Sequence, residues 1–79
     1  MRVLGDISHP KYKVTLFGWN GKYLLKFEVG SLEQTYKVDE LDYTEEEVKG
    51  LVNDTDFIAS VTEGFNRMGA GLGKALSTL

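Results

Sequence analysis

From Tyr12 to Val38 apolar and polar side chains alternate with a period near two, interrupted at Asn20-Gly21 and again at Gly30-Ser31. A period of two sorts side chains onto opposite faces of an extended chain, so this stretch reads as β-structure. Asn20-Gly21 is the strongest local signal, because both residues accept the positive φ that a two-residue type I′ turn demands. Taking that turn literally pairs residues whose numbers sum to 41. Leu16 then faces Leu25, Val14 faces Phe27 and Tyr12 faces Val29. On the other face Lys13 meets Glu28, Thr15 meets Lys26 and Phe17 meets Leu24. A slip of one residue would drive lysines into the core, so pattern and turn agree.

After Gly30-Ser31 the alternation resumes, with Leu32, Gln34, Tyr36 and Val38 on the core side and Glu33, Thr35 and Lys37 outside. Two registers keep this parity, one opposing Glu28 to Glu33 and the other Lys26 to Lys37. Each contains one like-charge pair, so charge does not choose between them.

Beyond Asp42 the period changes. Thr44-Glu45-Glu46-Glu47 has the form of a capping box, and its three acids suit the positive end of a helix. The helix it opens is expected over 45–52. Asp54 or Thr55 then caps a second helix over 55–68, where Phe57, Ile58, Val61, Phe65 and Met68 form one apolar stripe. Gly69-Ala70-Gly71-Leu72-Gly73 should end or fray it, since each glycine costs roughly 0.8–1 kcal/mol against alanine in a helix.

The expectation is one α+β domain over 1–79: a three-stranded antiparallel β-meander (11–19, 22–30 and 33–38) followed by two C-terminal helices packed on one face. Residues 1–10 are read as an extended N-terminal segment, 11–68 as the folded core and 69–79 as a glycine-rich flexible tail. The expected core is Val14, Leu16, Leu25, Phe27, Tyr36, Val38, Val48, Leu51, Ile58, Val61 and Phe65.

Composition narrows the chemistry. The chain has no cysteine and one histidine, His9, so thiolate, zinc and serine–histidine constellations lack parts. The Gly73-Lys74 pair misses the phosphate-loop pattern, because Met68 stands where its first glycine belongs and Ala75 replaces the hydroxyl residue. The acids at 39–47 lack the spacing of a calcium loop. No enzyme, cofactor or metal site is therefore expected. The absence of cysteine and of a long apolar run favours a cytoplasmic location over a secreted or membrane-inserted one.

Charge is divided. Residues 1–38 carry six basic and three acidic side chains, and residues 39–79 carry three and nine. On the outer sheet face, lysines surround an apolar group near the turn. Phe17, Trp19 and Leu24 are the candidate interface for a second copy or another protein. Lys13, Lys22 and Lys26, beside those aromatics, supply the alternative reading: a sheet that binds single-stranded nucleic acid by stacking and phosphate contacts. The run Lys13-Val14-Thr15-Leu16-Phe17-Gly18-Trp19-Asn20-Gly21-Lys22-Tyr23, with Glu33-Gln34-Thr35-Tyr36-Lys37, resembles a group of short bacterial proteins without an assigned function. That resemblance implies a bacterial cytosolic protein and carries no catalytic residues.

Overall fold

The computed structural model describes all 79 residues. Four strands form one antiparallel sheet in chain order: β1 (Arg2–Ile7), β2 (Lys13–Trp19), β3 (Lys22–Val29) and β4 (Leu32–Asp39). A short helix α1 (Glu45–Lys49) runs into a 3₁₀ turn (Gly50–Asn53), and a 22-residue helix α2 (Thr55–Leu76) completes the chain.

The expected register is present in the first hairpin, and turn geometry decides the one left open in the second. Asn20 and Gly21 both have positive φ, 51° and 72°, and β2 pairs with β3 from Trp19↔Lys22 to Lys13↔Glu28. At the next reversal only Gly30 has positive φ, 56°, as a type II′ turn requires, and β4 pairs with β3 from Val29↔Leu32 onward. This chooses the register that opposes Glu28 to Glu33. Lys26 makes that choice tolerable: its Nζ lies 3.6 Å from Glu28 and 3.4 Å from Glu33, placing one cation between two acids.

The sheet has four strands rather than three. Residues 2–7, expected to be merely extended, add β1 along β2. Its register shifts between Val3 and Gly5, leaving Leu4 as an extra residue. Strict alternation would put Val3 and Ile7 on one face. The bulge separates them, so Val3 stands beside Phe17 on the outer face and Ile7 beside Val14 on the core face. A pattern search with period two therefore finds no strand here.

The second correction concerns α2. Its helix does not stop at Met68 but continues through Gly69, Gly71 and Gly73 to Leu76. The capping box at Thr44 and Glu47 is complete, and the Asp54 carboxylate accepts from the Phe57 amide to open α2. Both helices lie on the core face. Tyr12, Val14, Leu16, Leu25, Phe27, Val48, Val52, Val61 and Phe65 are buried together. Tyr36, Val38, Leu51 and Ile58, expected in the centre, are half-buried at its rim, while Tyr12 and Val52 take central places.

Gln34 shows how α2 is held to the edge strand. Its side-chain amide donates to the Val61 carbonyl at 2.8 Å and its oxygen accepts from the Tyr36 hydroxyl at 2.7 Å. Gly64 makes room for it, since a Cβ there would sit 3.0 Å from the Gln34 amide.

Candidate interaction surfaces

Hairpin parity puts Phe17, Trp19 and Leu24 on the outer face, opposite the helices, and the structure brings them together as expected. Phe17 and Leu24 are direct cross-strand partners. Trp19 is 48% exposed, Phe17 is half-buried and Leu24 only 5% exposed. Leu24 is therefore a floor rather than a contact residue: Phe17 flanks it on β2 and Lys37 on β4. Val3, 66% exposed and paired with Phe17, extends the apolar group onto β1. Sequence reasoning missed Val3 because it missed the bulge.

Of the four lysines on this face, two are engaged and Lys37 is not. Lys22 Nζ lies 3.3 Å from the Asp39 carboxylate. Lys26 joins Glu28 and Glu33, sits 6.0 Å from the centre of the Phe17 ring, and has its pKa raised, chiefly by the Glu33 hydrogen bond. Lys13 forms no ion pair. The strand residues facing outward include four cations (Lys13, Lys22, Lys26 and Lys37) and four anions (Asp6, Glu28, Glu33 and Asp39). The face that composition suggested was basic is balanced.

His9 is part of the scaffold around Tyr12. Its ring stacks on Tyr12 at 5.3 Å and its Nδ1 accepts from the Lys11 amide. Tyr12 in turn bonds Thr62 at 2.6 Å and packs against Phe65. No three His, Asp or Glu side chains converge as a metal-ligand set.

A second surface lies at the end of α2. Gly69 passes Leu32, the first residue of β4, with its Cβ position 3.6 Å from the leucine methyl. Every residue from Ala70 onward is exposed, so the helix overhangs the sheet. Its apolar stripe nevertheless continues: Val61 and Phe65 are buried, while Met68, Leu72 and Leu76, at the following helical spacings, are 38%, 43% and 54% exposed. The same spacing was legible in the sequence, but the glycines between those residues masked it. At the opposite end of β4, Val38, Tyr43, Gly50 and Leu51 line an open groove of about 640 Å³ over buried Val48, with Glu46, Glu47 and Asp54 at its rim.

Compared with known protein families, with curated proteins and with solved structures, the chain matches none. No helix is long and apolar enough to cross a membrane.

Proposed function

We propose that this chain is a small non-enzymatic interaction module that associates with a second copy of itself. The observation that carries this reading is the overhanging last third of α2. Three glycines in a projecting segment disfavour an isolated helix, and short helices draw most of their stability from packing an apolar face. Here the apolar face continues as Met68, Leu72 and Leu76, whose exposure rises from 38% to 43% to 54% as the helix passes Leu32 at the end of the sheet. A partner surface supplies what the sheet no longer reaches.

The outer sheet face supports an interaction role in a second way. Val3, Phe17 and Trp19 give it an apolar centre, and its charges cancel. A balanced face suits a protein surface better than a polyanion, whose binding scales with the number of unneutralised cations. Cytosolic residence fits a cysteine-free chain of this kind.

The test is the mass in solution. Light scattering over a concentration series should give wild-type protein a mass approaching twice 8.8 kDa. The L72E/L76E variant, altered only where the helix overhangs, should remain at the monomer mass with an unchanged circular-dichroism spectrum for the sheet. A wild-type chain that stays monomeric at millimolar concentration refutes the proposal.

A further inference from the structure

Strand β4 is an edge strand with nothing paired along its outer side. Edges of this kind are commonly blunted by bulges, prolines or very short length. The other edge of this sheet, β1, carries a bulge. β4 has no bulge or proline, is eight residues long and pairs with β3 without interruption; its edge is marked only by the charged side chains of Glu33, Lys37 and Asp39.

In a two-residue hairpin the closing pair, here Val29 and Leu32, exchanges both backbone hydrogen bonds. Alternation along the ladder then turns the amides and carbonyls of Glu33, Thr35 and Lys37 outward, away from β3. Those three residues form an ordered donor and acceptor row on the open edge.

The side chains around that row are self-complementary. An antiparallel copy centred on Thr35 pairs Leu32 with Val38, Glu33 with Lys37, Gln34 with Tyr36, and Thr35 with itself. Apolar meets apolar on the core side and acid meets base on the outer side. Centring on Glu33 or on Lys37 instead sets like charges opposite each other, and centring on Tyr36 opposes Glu33 to Asp39. An isologous dimer requires a patch that matches itself, and the Thr35 register has opposite charges at both outer pairs.

We infer that two copies join β4 to β4 about a two-fold axis at Thr35, forming a continuous eight-stranded sheet. This rests on the self-association proposed above and assigns its seam. The axis stands perpendicular to the sheet, so both helix layers stay on one side. It also sets the Leu32 end of each strand beside the Val38 end of the other. α2 overhangs at the first end, and the groove of Val38, Tyr43 and Leu51 opens at the second, on the same face. Met68, Leu72 and Leu76 of each copy are thereby carried toward the groove of the other. Six edge hydrogen bonds alone make a small interface, and two helix-in-groove contacts add the apolar area a stable dimer needs.

Charge reversal tests the seam separately from self-association. E33K and K37E each set two like-charge pairs across the axis, and each alone should weaken dimerisation roughly tenfold or more. Mixing the two variants recreates two opposite-charge pairs, so native mass spectrometry should show the heterodimer in excess over either homodimer. The E33K/K37E double variant should again form a homodimer, which also shows that the substitutions leave the fold intact. If wild-type protein dimerises but E33K and K37E each do so equally well, or their mixture shows no preference, the seam is overturned and self-association stands. If wild-type protein is monomeric, both fall.

Discussion

Asp39 closes the β3–β4 ladder and carries a pH dependence of its own. Its Oδ1 accepts the Leu41 amide at 2.9 Å, and Lys22 approaches its Oδ2 at 3.3 Å. The amide bond, then the lysine, hold its carboxyl below the ordinary carboxylate range, with slight burial opposing them. A folded-state pKa below the unfolded one gives stability that is complete above the unfolded value and lost as pH falls through the folded value. Wild-type protein should therefore lose stability below about pH 4, and D39N should show a flatter acid limb in a melting-temperature profile. At Gly64, alanine gains roughly 0.8–1 kcal/mol of helix propensity but meets the Gln34 amide at 3.0 Å, where two hydrogen bonds grip that side chain. Displacing Gln34 costs those bonds and leaves polar groups unmet beneath α2, so G64A should destabilise by about 1 kcal/mol in urea titrations. G73A, with open space around its Cβ position, should instead increase amide protection across the overhanging turn.

Among the elements, the β2–β3 hairpin is the one that local chemistry dictates outright. Asn20-Gly21 sets the turn, the turn sets the register, and the pairs from Trp19↔Lys22 to Lys13↔Glu28 follow, while the expected Tyr12–Val29 pair falls beyond the end of β2. The Thr44 box and the Asp54 cap are equally local, each needing only a short polar side chain a few residues ahead of the amide it accepts from. β1 is the opposite case. Its bulge cancels the alternation by which a strand is recognised, and it forms because β2 offers an unpaired edge. α2 is intermediate. Its apolar spacing runs unbroken from Phe57 to Leu76, yet glycine propensities argue for a stop at Met68. A helix long enough to overhang the sheet by its last turns places packing and propensity in conflict, which the proposed association with a second copy would relieve.

At the scale of the whole molecule, 79 residues bury a small core, and stability at this size is sensitive to any added interface. Binding between folded copies shifts the unfolding equilibrium by mass action. The melting temperature of wild-type protein should therefore rise with concentration across a hundredfold range, whereas L72E/L76E should melt at one temperature throughout. Calorimetry at several concentrations distinguishes these outcomes, and a wild-type temperature independent of concentration contradicts the assembly. The division of charge along the chain has a plain outcome in three dimensions. Of the six basic residues in the first half, Arg2 pairs with Gly18 on the opposite face and Lys11 precedes β2, while Asp39 joins Asp6, Glu28 and Glu33 on the outer face, so a lengthwise count overstated how basic that face is.

What the amino-acid order determined by itself is whatever depends on neighbours a few residues apart: two hairpin turns, the face each strand residue takes, two helix caps, and the Phe17–Trp19–Leu24 group. These follow from φ preferences and periodicity, which act locally. What only the tertiary structure decided depends on residues far apart in the chain. The fourth strand required a partner edge, and the burial of Leu24 required flanking strands. The open edge of β4 and the overhang of α2 became visible only once the sheet's limits were known, because a surface without a partner is defined by what surrounds it.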